Sequence, residues 1–235
     1  MDRPTPWDQH VQELRYRLSV SFLAFLAGLG LGWWQVPRLL DYLLARFHSE
    51  LIFTQPMEAF SGYLTLAALV GLVVALPVFL YQMVAFARPG LLPHERRILY
   101  WALPASVLLF FGGASFGFFF ILPFAWRFLL GFGSSFLQPL ITFSNFIAFL
   151  LSLTVPLGLI FQWPLLVAAL SYVGVLSPAF LRRGRKVAIL AALLVAGTVT
   201  PPDVMSQILV ATPLVILYEA SIWVAARLYA RREGG

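Results

Sequence analysis

Cysteine is absent from the 235-residue chain, which excludes disulfides, thiolate metal sites and a cysteine nucleophile. Charge is scarce as well. Only 11% of residues carry one, against about 25% in a typical soluble domain, too few to cover a water-facing surface. Histidine occurs three times, as His10, His48 and His94, all outside the long apolar runs, so a serine within those runs has no histidine base beside it. What the chain has in abundance is apolar: 60% of its residues are hydrophobic and the mean hydropathy is +0.86. Its uninterrupted runs approach the roughly 20 residues that a helix needs to cross a bilayer. A soluble enzyme, a disordered chain and a small secreted module are excluded. The expectation is an all-α integral membrane protein.

Charges and turn residues divide the chain into six apolar segments, 18–36, 61–86, 98–123, 145–173, 187–199 and 204–226, read as six spans of a single transmembrane domain over 1–235. The first is too long for a signal-peptide core of about 7–15 residues, and Trp33-Trp34-Gln35 is a poor cleavage site, so it is read as a retained helix. The fifth reaches only about 20 Å at 1.5 Å per residue, short of a roughly 30 Å hydrocarbon core, and is expected to be a short span or half of a shallow hairpin.

The net charge of +6 leaves nucleic acid and membrane surface both open until the basic residues are placed. Arg3, Arg15 and Arg17 precede the first segment. Arg88, Arg96 and Arg97 follow the second, Arg182, Arg183, Arg185 and Lys186 follow the fourth, and Arg227, Arg231 and Arg232 follow the sixth. The opposite side holds Arg38, Arg46 and Arg127. Thirteen of the 16 basic residues thus share one side, which by the positive-inside rule places both termini in the cytoplasm. The basic excess reports orientation, and no nucleic-acid partner is expected.

Pro77, Pro104, Pro156, Pro164 and Pro213 fall inside apolar segments and Pro123 ends one, so kinked helices in a concave assembly are expected. Gly28 and Gly32, and Gly113 and Gly117, have the spacing of closely packed membrane helices. Polar groups in such a chain are expensive and informative. Glu219 sits inside segment six, as an interhelical hydrogen bond or a functional polar contact, and Gln162 near the middle of segment four. Glu58 and Asp203 lie at the external ends of segments two and six. Thr200-Pro201-Pro202-Asp203 has the form of a capping box. Two acids on the basic side are the most suggestive: Glu13, four residues before Arg17, and Glu95, opening segment three. Each has a local reading, an i, i+4 pair for Glu13 and a helix amino-terminus for Glu95. Together they suit a cationic ligand, guanidinium above all, because its planar fork bonds carboxylates bidentately. No metal or other cofactor is called for.

At these residues the chain resembles TatC, the multi-spanning subunit of the twin-arginine protein translocase. His10-Val11-Gln12-Glu13-Leu14-Arg15-Tyr16-Arg17 is similar to the family's amino-terminal pattern, with Val11 in place of leucine, and Pro56-Met57-Glu58-Ala59-Phe60 to its external element. Phe86-Ala87-Arg88-Pro89-Gly90-Leu91 with His94-Glu95-Arg96-Arg97 resembles its first cytoplasmic loop. Gly113, Phe116 and Pro123 fit the third span, and Thr200-Pro201-Pro202-Asp203 with Ser206-Gln207 the stretch before the last.

The resemblance implies a concave, glove-like fold of six helices. It also implies a receptor for signal peptides bearing two adjacent arginines on folded cargo, in the bacterial cytoplasmic (inner) membrane. Glu13 and Glu95 would pair with the arginines, Phe86, His94 and Arg15 would shape the site, and Glu58, Gln162, Asp203 and Glu219 would serve structure and assembly. It further implies single-span TatA- and TatB-type partners, self-association, membrane lipid around the complex and export driven by the protonmotive force, with no catalysis by this subunit. Three positions depart from the family: Gln162 where a glutamate is common, Thr65 where lysine is frequent and Phe118 where tyrosine is frequent. The competing class is a small proton- or ion-coupled transporter, disfavoured by the missing internal repeat and by acids gathered at helix ends. An intramembrane protease lacks its base.

Overall fold

Long apolar runs with few charges have one way to satisfy their backbone away from water, the helix, whose hydrogen bonds are internal to the segment. The computed structural model describes residues 6–47, 51–87, 96–132, 140–199 and 204–233, and these are helical nearly throughout. The helices are α1 (Pro6–Phe47), α2 (Pro56–Ala87), α3 (Arg96–Phe116), α4 (Leu122–Leu130), α5 (Phe143–Ile160), α6 (Trp163–Val173), α7 (Pro178–Arg183), α8 (Arg185–Val199) and α9 (Val204–Glu233), with a π-helical turn, Gly117–Ile121, between α3 and α4. Among the described residues, five stretches are long and apolar enough to cross a membrane: His10–Phe47, Pro56–Phe86, Trp101–Leu130, Phe143–Tyr172 and Val204–Arg227. The expected fifth span lies on α8, whose 15 residues reach about 22 Å. His94, Glu95 and Asp203 lie outside the described residues.

Three boundaries differ from the sequence reading, each for a local reason. α1 runs 42 residues, about 63 Å, well beyond the apolar 18–36, because the flank before it is helix-forming and Pro37, just past its end, is absorbed inside the helix. The third span does not end at Pro123. Proline lacks the N–H and crowds the carbonyl four residues back; widening the turn to π-helical register relieves both, and the Leu122 N–H donates to the Gly117 carbonyl as the helix continues to Leu130. The fourth span is two helices. Pro164 lies in the first turn of α6, and the chain breaks at Phe161-Gln162, where Gln162 is the N-cap. By contrast Pro77, Pro104, Pro156 and Pro213 lie inside continuous helices. α6 stops at Gly174, whose φ of 87° is the left-handed conformation that favours glycine.

The chain packs as two compact units, residues 1–103 with 141–147, and residues 104–140 with 148–235. In the first, α1 packs along α2. A Cβ on Gly28 would lie 2.8 Å from the Gly71 carbonyl oxygen, and one on Gly32 would strike the Ala67 carbonyl, so the expected close packing at these glycines is present. Beyond α1 and α2, Ile52 bridges Thr142: its N–H donates to the Ile141 carbonyl (3.1 Å) and its carbonyl accepts from the Phe143 N–H (2.8 Å). In the second unit α9 packs on α6, α7 and α8. Gly113 and Gly117 lie against the backbone of α5 at Leu157 and Leu153. Large apolar side chains such as Trp101 and Leu108, each 73% exposed, cover much of the outer surface, a surface that suits lipid and not water.

Candidate functional site

The amino-terminal turns of α1 lie beside the carboxyl-terminal turns of α2, and the polar residues of the two ends meet there. Arg17 donates from Nε (3.1 Å) and Nη2 (2.5 Å) to Oε1 of Glu13, and from Nη1 to Oε1 of Gln82 (3.1 Å). The two charged side chains are partly buried, 20% exposed for Arg17 and 32% for Glu13. Four residues past Gln82, on the same face of α2, the Phe86 ring meets the His10 ring edge-on at 6.4 Å. The expected i, i+4 pair of Glu13 and Arg17 is therefore present, but tied to a second helix.

Of the residues assigned to a cationic ligand, Glu13 and Phe86 come together here. Arg15 does not join them. It lies about 200° around α1 from Glu13 and is exposed. His94 and Glu95 lie outside the described residues. Gln82 and His10 belong to the cluster although neither was singled out as a site residue. The signal for Gln82 was there: it is the only strongly polar residue of α2 beyond its first turns, placed one turn before Phe86.

The other polar residues are held by their surroundings. Glu58, in the first turn of α2, accepts at Oε2 from the Thr54 N–H (2.9 Å) and hydroxyl (2.8 Å), and at Oε1 from the Ser144 N–H at the start of α5 (3.4 Å). One carboxylate thereby faces two helix amino-termini, where negative charge is favoured. Gln162 and Ser106 bond in both directions: the hydroxyl donates to Oε1 (2.6 Å) and Nε2 donates to the Ser106 carbonyl (2.7 Å). Glu219 forms a two-nitrogen pair with Arg185, Nε to Oε1 and Nη2 to Oε2, each 2.8 Å. The short α8 brings Arg185, its first residue, level with Glu219. That acid is about half exposed and lies at the end of the α8–α9 pair. Of the positions departing from the family, Thr65 donates to the Ser61 carbonyl of its own helix, and Phe118 meets Phe119 edge-on at 5.0 Å. Gln207 ties α9 to the Leu193 carbonyl of α8 (3.0 Å).

Apolar helices that cross repeatedly, with polar side chains at helix ends and breaks, define a multi-spanning α-helical membrane protein. A family profile described as Sec-independent protein translocase protein (TatC) matches residues 9–213. The chain is 37% identical to the Sec-independent protein translocase protein TatC of Carboxydothermus hydrogenoformans, over 100% of this chain and 98% of that one. It is 37% identical to the TatC of Aquifex aeolicus, over 97% of each. A crystal structure of the twin arginine translocase receptor TatC superposes with a TM-score of 0.78 at 36% identity, covering 93% of this chain and 99% of that one. The chain belongs to the TatC family, and is a component of Sec-independent protein translocation.

Proposed function

We propose that this subunit receives twin-arginine signal peptides at the end of the α1–α2 pair, with Glu13 and Glu95 each holding one arginine. The observation that carries the reading is the Glu13 carboxylate. It is partly exposed, its Oε2 has no hydrogen bond among the described residues, and it stands beside the amide of Gln82 and one turn from Phe86. Both bonds from Arg17 fall on Oε1, so Oε2 offers the first contact to an incoming guanidinium, which must take Oε1 from Arg17 to bond both oxygens. Glu95 follows α2 by eight residues in sequence, near enough along the chain to join the same end. We assign His94 to the same site by its place in the chain, and Arg15, on the far side of α1 from Glu13, to a contact with the peptide outside the Glu13 cluster.

In this reading both termini and the α2–α3 connection face the cytoplasm, the chain spans the bacterial inner membrane six times, and transport is driven by the protonmotive force. TatA- and TatB-type single-span subunits and further copies of this chain assemble around it, with Glu58, Gln162, Asp203 and Glu219 as polar supports. The alternative of an ion-coupled transporter is less well supported, because Glu219 is matched by Arg185 and Gln162 is closed on Ser106.

Photo-crosslinking of a twin-arginine signal peptide in membranes tests the site. Wild type is expected to crosslink strongly, and Glu13→Ala and Glu95→Ala weakly or not at all. Undiminished crosslinking in both variants would sink the assignment.

A further inference from the structure

The end of α1 already holds a guanidinium of its own. Three nitrogens of Arg17 are engaged, two on Oε1 of Glu13 and one on Oε1 of Gln82. An exposed i, i+4 pair is weak and easily exchanged. This one is partly withdrawn from water and braced by α2, and both changes strengthen it. The acid that the proposed function assigns to a peptide arginine is thus half occupied by a resident one.

We infer that Arg17 is the specificity-determining residue of this site, a resident guanidinium that an incoming arginine must displace from Oε1 of Glu13. The inference rests on the reading of Glu13 as a peptide-binding acid. Displacement of one guanidinium by another is nearly balanced, since the same two hydrogen bonds and the same charge pairing are exchanged. The displaced Arg17 keeps its bond to Gln82, whose amide oxygen receives it on the α2 side. A lysine ammonium has no planar fork. It cannot replace two bonds in one plane, so it meets Glu13 already neutralised and reaches Oε2 alone. Arg17 also repels any cation that approaches without displacing it, which makes it a device against the wrong ligand as much as a holder of the acid.

The test uses the full-length protein in lipid nanodiscs. Two fluorescent synthetic peptides are titrated, one with adjacent arginines before an apolar stretch and its twin-lysine counterpart. Arg17→Gln is expected to tighten twin-lysine binding more than twin-arginine binding, so that the ratio of the two affinities falls about three- to tenfold, the scale of removing one partly buried competing pair. Arg17→Lys, which leaves a competitor without the planar fork that puts two N–H groups on Oε1, is expected to give an intermediate ratio. It also decides the matter should Arg17→Gln fold poorly, with thermal unfolding run on both. An unchanged ratio, or a loss of twin-arginine affinity in both variants, would overturn the inference and make Arg17 a brace for Glu13. Glu13→Gln separates this failure from that of the underlying reading. If Glu13→Gln abolishes twin-arginine binding while the ratio in the Arg17 variants is unchanged, only the role of Arg17 falls. If Glu13→Gln binds like wild type, the reading of Glu13 falls and this inference with it.

Discussion

Gln162 and Ser106 illustrate what one side chain does when the chain around it is apolar. The break in the fourth span places an amide beside the Ser106 backbone, and each group supplies a donor and an acceptor to the other. Gln162→Leu removes both partners and leaves the buried Ser106 hydroxyl and carbonyl with no replacement from α6. The expected cost is about 1–3 kcal/mol, read as a lower unfolding temperature in detergent. Gln162→Glu is expected to keep export activity, since a protonated carboxyl offers the same one donor and one acceptor. Loss of export in that variant would mean that the site is built around an amide. The sequence pointed to Gln162 through its polarity alone. It could not name Ser106, because 56 residues separate the two and only helix packing brings them together. Gln82 was missed for the same reason: its significance lies in Arg17, on another helix.

At the scale of the element, proline and glycine were visible in the sequence but their effects were not. Proline breaks the fourth span near Pro164, widens the turn before Pro123, and is absorbed in continuous helix at Pro77, Pro104, Pro156 and Pro213. The outcome depends on what packs where the hydrogen bond is lost, which local sequence does not carry. Glycine spacing was more legible, because close approach of two backbones leaves no room for a Cβ. Gly28→Val is expected to force α1 from α2, since the obstruction is the Gly71 backbone carbonyl at 2.8 Å and backbone cannot turn aside. Overpacking of this kind costs about 1–3 kcal/mol, again as a lower unfolding temperature. Gly30→Val, two residues away, meets nothing within 4 Å and is expected to leave that temperature nearly unchanged.

At the scale of the whole molecule, the absence of cysteine becomes an experimental advantage. Any single cysteine introduced into the chain is its only thiol. On the proposed orientation, Arg183→Cys in intact cells is expected to resist a membrane-impermeant maleimide and Gln55→Cys to react. Both positions are exposed, so the contrast reports sidedness and not burial. The reverse pattern would invert the proposed orientation. The sequence by itself determined the class: scarce charge and long apolar runs permit only helices in a bilayer. It also marked the acids, because a carboxylate in an apolar, basic chain stands out without any structure. Which acids are already satisfied was decided only by the tertiary structure. Glu219 meets Arg185 because α8 is short, Glu58 meets Ser144 because two helices start side by side, and Glu13 shares its guanidinium with Gln82 because α1 and α2 run together. Those partners are 34, 86 and, from Arg17 to Gln82, 65 residues apart, and hydrogen bonds at such separations exist only once the helices have packed.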